Sequence, residues 1–215
     1  MSKTELTKKI ENALFNYNPT TLGGLKLNPF RLTLQATEVT VENSSIKKGI
    51  IDFMRFDEYE HIEKVYNGCR IFSERHQVSL DIRPCLRGFK DWRDCAKVVE
   101  CDQVDCRWYL PNIKVIDYKP LFTCIEIKIS KADFRSKNGH NFVGNLNYYV
   151  MPIELWRELK ANIPEGIGVI SYNGYSLRRV KDATYKELSK DNMFERLLCL
   201  AKARTSRGFG VTNTE

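Results

Sequence analysis

The stretch Thr123–Phe134, TCIEIKISKADF, places two charged side chains inside an otherwise apolar strand. Glu126 and Lys128 interrupt a run of cysteine and isoleucine and lie two residues apart, so they share one face of that strand. A buried carboxylate and ammonium are costly unless they are paired or bound to a metal ion. A half-exposed edge strand with a weak surface ion pair also explains the pattern, and the residues alone leave both interpretations open.

A helix is expected directly after this strand. Ser130 occupies the position of an N-cap, and Asp133 follows three residues later, as in a capping box. Periodicity and turn residues predict the remaining elements: a helix over 4–15, strands over 31–41 and 50–56 that could form a hairpin, a strand over 148–151, a helix over 153–163, a two-residue hairpin at Asn173-Gly174 and a helix over 194–203. This order predicts an α/β sandwich around a mixed central sheet.

The charge balance favours a polyanionic partner. The net charge is +7, from 34 basic and 27 acidic residues. No apolar run approaches the roughly 20 residues of a membrane span, and the N-terminus has no apolar core of a signal peptide. We therefore expect a cytoplasmic protein without a membrane partner. Its seven cysteines, an odd number, favour reduced thiols or a metal site over a disulfide framework.

The chain changes character between residues 57 and 117, where charges are dense and hydrophobic periodicity is poor. We interpret this segment as an inserted lobe. Thiolates are good zinc ligands, and a closed tetrahedral site would order such a lobe. The candidate ligands have the spacing C-x9-C-x5-C-x4-C, with Cys69 and His76 as substitutes: Cys85, Cys95, Cys101 and Cys106. Reduced cysteines that pack as small hydrophobic residues are the alternative.

Three residues outside this lobe have the chemistry that phosphodiester hydrolysis needs. That reaction uses a divalent metal ion held by oxygen ligands and an activated water molecule. Asp52 on one strand and Glu126 on another would supply two carboxylates. Lys128 beside them would orient the water or offset negative charge in the transition state.

Other acids compete for the first of these positions. Asp117 precedes the central strand with no intervening lobe. In a tight turn at 118–120, however, the residue across from Glu126 would be near Asn112 rather than Asp117, so register favours Asp52. Glu38 is a further candidate metal ligand, with a polar residue on a solvent face as the alternative.

Several segments together resemble a known family. They are EVTV (Glu38–Val41), IIDFMRF (Ile50–Phe56), EIKISKADFRSK (Glu126–Lys137), and NFVGNLNYYVMPIELW (Asn141–Trp156) followed by IPEGIGVI (Ile163–Ile170). An acid on one strand, then Glu-x-Lys on the next and a helix, resembles the PD-(D/E)XK nuclease superfamily. The closer resemblance is to its MmcB-like DNA-repair nuclease branch and to related phage and bacterial proteins. It implies a restriction-endonuclease-like core, a mixed central sheet flanked by helices, formed by residues 1–56 and 118–215 with 57–117 as a cysteine-rich insertion.

The resemblance also implies an activity, a metal-dependent nuclease that hydrolyses DNA in repair or in phage and mobile-element metabolism. Asp52 and Glu126 match the family's ligands for Mg²⁺ or Mn²⁺, and Lys128 matches its catalytic lysine. Two features depart from the family pattern: Ile51 stands where a proline is usual, and 74 residues (126 − 52) separate the two acids instead of a short hairpin.

Basic residues follow the Glu-x-Lys strand and are candidates for contact with DNA phosphates. They are Lys131, Arg135, Lys137 and His140. A solvated helix face is the alternative for the first three, and an incidental loop histidine for the last. Two other functions remain open, a catalytically inactive nucleic-acid-binding module on a nuclease fold and a zinc-stabilised interaction protein.

Overall fold

The computed structural model describes residues 4–28, 33–41, 49–69 and 109–205 of the chain. The chain divides into two compact units, one of Met1–Glu60 with Tyr118–Glu215 and the other of His61–Asp117. The candidate zinc ligands Cys85, Cys95, Cys101 and Cys106, and the substitute His76, lie outside the described residues, as does the side chain of Cys69. Zinc binding and the cysteine-rich insertion therefore stay predictions.

Apart from the short strands β1 and β2, which were not expected, the strands and helices follow the order expected from the sequence. The strands are β1 (Thr21–Leu22), β2 (Leu25–Lys26), β3 (Leu34–Val41), β4 (Gly49–Cys69), β5 (Tyr109–Ile127), β6 (Leu146–Pro152), β7 (Gly168–Tyr172) and β8 (Leu177–Lys181). The α-helices are α1 (Glu5–Phe15), α2 (Lys131–Arg135), α3 (Ile153–Leu159) and α4 (Lys190–Thr205), and a short 3₁₀ helix, Lys160–Asn162, follows α3. Within the described residues, no helix is both long enough and apolar enough to cross a membrane.

Six strands form one mixed sheet in the order β3-β4-β5-β6-β7-β8. Strands β3 and β4 pair antiparallel, which confirms the predicted hairpin. Strands β5, β6 and β7 run parallel, and β8 returns antiparallel to β7. The expectation of a mixed α/β architecture is thus confirmed. Because β5 is the third strand of six, and Glu126 and Lys128 are 0% and 2% exposed, the edge-strand interpretation of this segment was wrong.

Helices cover both faces of the sheet. Ile125 packs in a cluster with Ile10 of α1, whereas its neighbour Cys124 packs in a cluster with Leu200 of α4. Since successive residues of a strand point to opposite faces, α1 and α4 lie on opposite sides. A third cluster joins Tyr149 of β6 to α3. Cys124 and Cys199 belong to this interior, as predicted, and burial raises the pKa of the Cys124 thiol to about 12.

The predicted start of α2 is confirmed. The Asp133 N–H donates a hydrogen bond of 3.1 Å to Ser130 Oγ, so Ser130 is the N-cap. In return, Asp133 Oδ2 accepts a 3.0 Å hydrogen bond from the N–H of Ile129, one residue earlier than in a standard capping box. Asp133 therefore ties the first turn of α2 to the end of β5.

Several boundaries differ from the sequence expectation. The tight turn expected at 118–120 does not form, because β5 runs unbroken from Tyr109 to Ile127. Strand β4 continues to Cys69 instead of ending near Phe56. The β7–β8 connection has four residues rather than two, because Tyr172 pairs with Leu177 and the Asn173 side chain caps the turn. An Asn that accepts hydrogen bonds from the following backbone favours this wider turn.

Candidate active site

Strands β4 and β5 bring the two predicted acids together. The N–H of Ile127 donates a hydrogen bond of 2.8 Å to Asp52 Oδ2. The Asp52 carboxyl is close enough to the Glu126 carboxyl for its charge to add to the effect of burial in raising the pKa of Glu126. Asp117, the rival candidate, is exposed and belongs to the other compact unit. Asp52 is thus the acid that the fold places beside Glu126.

Glu126 is buried without enough hydrogen-bond donors for a carboxylate. Its Oε1 accepts a 3.3 Å hydrogen bond from the N–H of Asn141, but no described residue donates to the buried Oε2. Burial, and then the nearby charge of Asp52, raise the pKa of Glu126 to about 8. A buried oxygen without a donor, beside a second acid, is an arrangement that a bound cation would stabilise.

Lys128 places a buried ammonium on the same face of β5. Its Nζ donates a 2.9 Å hydrogen bond to the carbonyl of Asn138 and lies 3.7 Å from Asp133 Oδ1. The side chain is 2% exposed, so Asp133 offsets a charge that water cannot reach. The ammonium is therefore held in one position at the site by α2 and the loop that follows it.

That loop, residues 136–141, closes over the three charged groups. Gly139 has a φ of +71°, and a Cβ added there would lie 2.5 Å from Lys128 Nζ and 3.1 Å from Glu126 Oε2. Only glycine combines this backbone conformation with so close an approach. Asn141 Nδ2 donates a 2.9 Å hydrogen bond to the carbonyl of Ile50, which fastens the end of the loop to β4. The role of Gly139 was missed, although the Asn138-Gly139 dipeptide is a turn signal.

His140, which belongs to the same loop, stabilises it through two side-chain hydrogen bonds. Its Nε2 lies 2.9 Å from the carbonyl of Ser136 and must donate, because a carbonyl only accepts. In the neutral ring, Nδ1 then accepts from the Tyr149 hydroxyl at 2.6 Å. Burial, and then the charge of Glu126, raise the pKa of Tyr149 to about 12, which keeps its hydroxyl protonated. Both ring nitrogens of His140 are thus engaged in hydrogen bonds, although the residue itself is exposed.

Glu38 lies on β3 directly across from Asp52. The neighbouring register pairs on the two strands are Thr37↔Phe53 and Val39↔Ile51. Glu38 has a φ of +49°, the one described non-glycine residue in that region, which is uncommon and strained for an L-residue. Its exposed side chain lines an open cleft that Asp52 and Glu126 also line. The structure therefore places the third candidate acid at the rim of the site rather than on a solvent face elsewhere.

An open cleft of about 1110 Å³ contains these groups. Its wall is formed by the N-terminus of α1, the facing parts of β3 and β4, the β5–α2 junction and the loop after α2, including Lys137. Of the other candidate phosphate contacts, Lys131 pairs with Glu158 at 3.0 Å, and Arg135 is exposed away from the cleft lining. Lys137 is thus the predicted basic side chain best placed to meet a ligand in the cleft.

The donor set of the cleft fits magnesium or manganese. Within the described residues, no group of three or more His, Cys, Asp or Glu side chains is arranged to hold a metal ion. Mg²⁺ does not need three, because it keeps several waters and is usually held by one or two carboxylates together with substrate phosphate oxygens. Asp52 and Glu126, with an oxygen of Glu126 lacking a donor, meet that requirement.

Comparison with known proteins adds little to this geometry. No protein-family model matches the chain, and no curated protein matches it. Among solved structures, a protein of unknown function from Silicibacter pomeroyi is similar to part of the chain. Its identity is 21%, the match covers 44% of this chain and 68% of that one, and the TM-score is 0.35.

Proposed function

We propose that this protein is a metal-dependent nuclease that hydrolyses DNA phosphodiester bonds on a restriction-endonuclease-like core of the PD-(D/E)XK type. One observation carries the proposal: a carboxyl pair, Asp52 and Glu126, stands with the buried ammonium of Lys128 in one open cleft. The net charge of +7 favours a polyanionic substrate.

Each of the three residues has a distinct role in this proposal. Asp52 and Glu126 hold Mg²⁺ or Mn²⁺ through their carboxylate oxygens, and Glu126 gives up its proton when the cation is present. The ion, when bound, supplies a Lewis acid and lowers the pKa of a coordinated water. Lys128 keeps a positive charge beside the attacked phosphate, where negative charge develops in the transition state.

The alternative of a purely structural charged cluster fits the hydrogen bonding less well. Buried polar atoms that serve only stability are nearly always paired. Lys128 follows that rule, since its ammonium has the Asn138 carbonyl and Asp133 as partners. Glu126 Oε2 does not, because no described residue donates to it. An oxygen left without a donor beside a second carboxyl favours a cation-binding role.

Cleavage assays on matched variants test the proposal. Purified protein is incubated with duplex, single-stranded and gapped DNA in Mg²⁺, in Mn²⁺ or in a chelator. We expect metal-dependent cleavage by the wild type and by Glu158→Gln, an exposed acid that pairs with Lys131 away from the cleft. Glu126→Gln and Lys128→Met should each abolish it. Cleavage that survives in Glu126→Gln would refute the assignment, and tight DNA binding without cleavage in either metal would favour an inactive binding module.

A further inference from the structure

The turn between β7 and β8, residues Asn173–Ser176, presents an aromatic side chain to solvent; we call these four residues the hairpin tip. Tyr175 is 94% exposed, more than any other large hydrophobic side chain in the described parts of the chain. A Cβ added at Gly174 would meet nothing within 4 Å, so the space around the tip is open. An aromatic ring whose faces are open to water is available for stacking.

The hairpin tip is held firmly despite its exposure. Asn173 Oδ1 accepts hydrogen bonds from the N–H groups of Tyr175, at 3.1 Å, and Ser176, at 2.8 Å. The hydroxyl of Tyr172 donates a 2.6 Å hydrogen bond to the carbonyl of Gly174. These bonds fix the backbone that carries the ring of Tyr175. A ring held in place before binding loses less conformational entropy when a partner arrives.

Strand β8 adds a cation beside the tip. Arg179 pairs with Asp182 at 2.8 Å, and Lys181 donates a 3.0 Å hydrogen bond to the Pro164 carbonyl, so both serve the fold. Arg178 is exposed and carries its charge into solvent. The exposed ring and the solvated guanidinium offer the two kinds of contact by which proteins bind single-stranded nucleic acid, base stacking and phosphate contact.

Strand direction places the hairpin tip at the same edge of the sheet as the candidate active site. Strands β5, β6 and β7 are parallel, and Ile127 aligns with Val150, which aligns with Ile170. The carboxyl ends of all three strands therefore leave the sheet on one side. Strand β7 lies two strand spacings from β5, about 10 Å. A polynucleotide that reaches Lys128 at the end of β5 is thus within a few nucleotides of Tyr175.

We propose that Tyr175 stacks on an unpaired base of the DNA strand whose phosphate enters the Asp52–Glu126 site, with Arg178 contacting a neighbouring phosphate. The inference rests on the proposed function for the nature of the ligand, and it adds a substrate class. That class is DNA with unpaired nucleotides next to the cleaved bond, such as gaps, flaps or single strands. A base paired within an uninterrupted duplex does not offer its face to the ring, whereas every unpaired base does.

Binding measurements in a chelator separate this inference from catalysis. The probes are a gapped DNA with 2-aminopurine at the unpaired position and a matched uninterrupted duplex. We expect the wild type to bind the gapped probe more tightly and to quench its fluorescence by stacking. Tyr175→Ala should weaken binding to the gapped probe by roughly 5- to 100-fold and abolish the quenching, while binding to the duplex stays unchanged. Tyr175→Phe, which keeps the ring, should behave as the wild type.

A second exposed aromatic residue provides the control. Phe194 is 62% exposed on α4, which packs against β3 at the far end of the sheet from β8, so Phe194→Ala should not alter binding to the gapped probe. Equal binding and quenching by Tyr175→Ala and the wild type would overturn the inference, and would leave the nuclease proposal intact. If the wild type bound neither DNA, the assumption that DNA is the ligand would be wrong, and both the nuclease proposal and the stacking proposal would fail.

Discussion

The backbone N–H of Ile127 donates a hydrogen bond of 2.8 Å to Oδ2 of Asp52. This bond attaches an acid of β4 to the residue that separates Glu126 from Lys128 on β5. The distance along the chain between the two acids is therefore no obstacle to a shared site, since the position of Asp52 is fixed by the partner strand. It also means that Asp52 has two functions, a backbone contact and a charge, which substitution can separate.

Asp52→Asn should separate them. The amide oxygen can still accept from Ile127, so we expect the variant to fold. Loss of the negative charge should lower the pKa of Glu126, because the charge of Asp52 is one cause of its elevation. It should also weaken Mn²⁺ binding by at least roughly 100-fold. NMR titration of the Glu126 carboxyl and calorimetric Mn²⁺ binding measure the two effects. An unchanged pKa would show that the two carboxyls are not neighbours.

The stability of the metal-free protein should fall as pH rises. The pKa of Glu126 is about 8 in the folded protein against an ordinary 4.5, so the folded state holds the proton more tightly than the unfolded state. The stabilisation from this group is complete below the ordinary pKa and is lost as pH passes through the folded value. Glu126→Gln has no such proton to lose. Its melting temperature relative to wild type should therefore increase between about pH 5 and about pH 9.

Mn²⁺ supplies the control for that experiment. The ion should restore the stability of the wild type at high pH, because it binds the ionised carboxylate of the folded state. It should have little effect on Glu126→Gln. Parallel pH profiles for the two proteins in a chelator would mean that Glu126 does not titrate in this range.

Gly139→Ala should disable the site by displacing the side chains of Lys128 and Glu126. The added methyl would lie 2.5 Å from Lys128 Nζ at a φ of +71°. We expect a loss of roughly 1–3 kcal/mol in the free energy of unfolding, together with loss of cleavage. Gly24→Ala is a matched control, since Gly24 has a φ of +78° with nothing within 4 Å of its Cβ position. It should lose stability from backbone strain alone and keep its activity, as chemical denaturation and cleavage assays would reveal.

Two lysines near α2 should differ in their contribution to DNA binding. Lys137 lines the cleft, whereas Lys131 is paired with Glu158. Lys137→Ala should reduce the slope of log affinity against log salt concentration by about 1, as expected for one lost phosphate contact. Lys131→Ala should leave the slope unchanged. Identical slopes for Lys137→Ala and wild type would remove Lys137 from the interface.

A buried ion pair should make β4 sensitive to substitution away from the active site. Arg55 holds Asp57 through two bonds, Nε to Oδ2 at 2.6 Å and Nη2 to Oδ1 at 2.8 Å, and also donates to the Tyr17 carbonyl. Asp57→Ala leaves a buried guanidinium without its counter-charge, at a cost of about 3–5 kcal/mol in the free energy of unfolding. The exposed acid Glu5, paired with Lys9, is the control, and Glu5→Ala should change the denaturation midpoint little.

The sequence predicted the parts of the site that follow from local patterns. Charges at alternate positions in an apolar strand placed Glu126 and Lys128 on one face, and the Ser130 N-cap marked where β5 ends and α2 begins. Asp52 came from a predicted strand and from the family resemblance, and its contact with Ile127 places it beside Glu126. The register argument against Asp117 was wrong, because β5 runs unbroken from Tyr109 to Ile127 with no turn at 118–120.

The rest depends on contacts between residues distant in sequence. Nothing around Gly139 indicates that its missing side chain makes room for Lys128, since that requirement arises only when the loop folds over β5. Likewise, no local pattern indicates the positive φ of Glu38, which lies opposite Asp52. The four-residue turn at Asn173 replaced the predicted two-residue turn because one side chain bonds to two backbone groups.

The division of the site between β4 and β5 has a consequence for any broken form of the protein. Residues up to Glu60 contribute one carboxylate, while residues from Tyr118 onward contribute the other carboxylate and the amine. Neither fragment alone holds a complete set, so we expect a chain that ends before Tyr118 to lack the proposed activity. Two fragments produced by a cut between Glu60 and Tyr118 can bring the three residues together again only if β4 and β5 pair. Complementation between separately expressed halves would therefore report directly on sheet assembly.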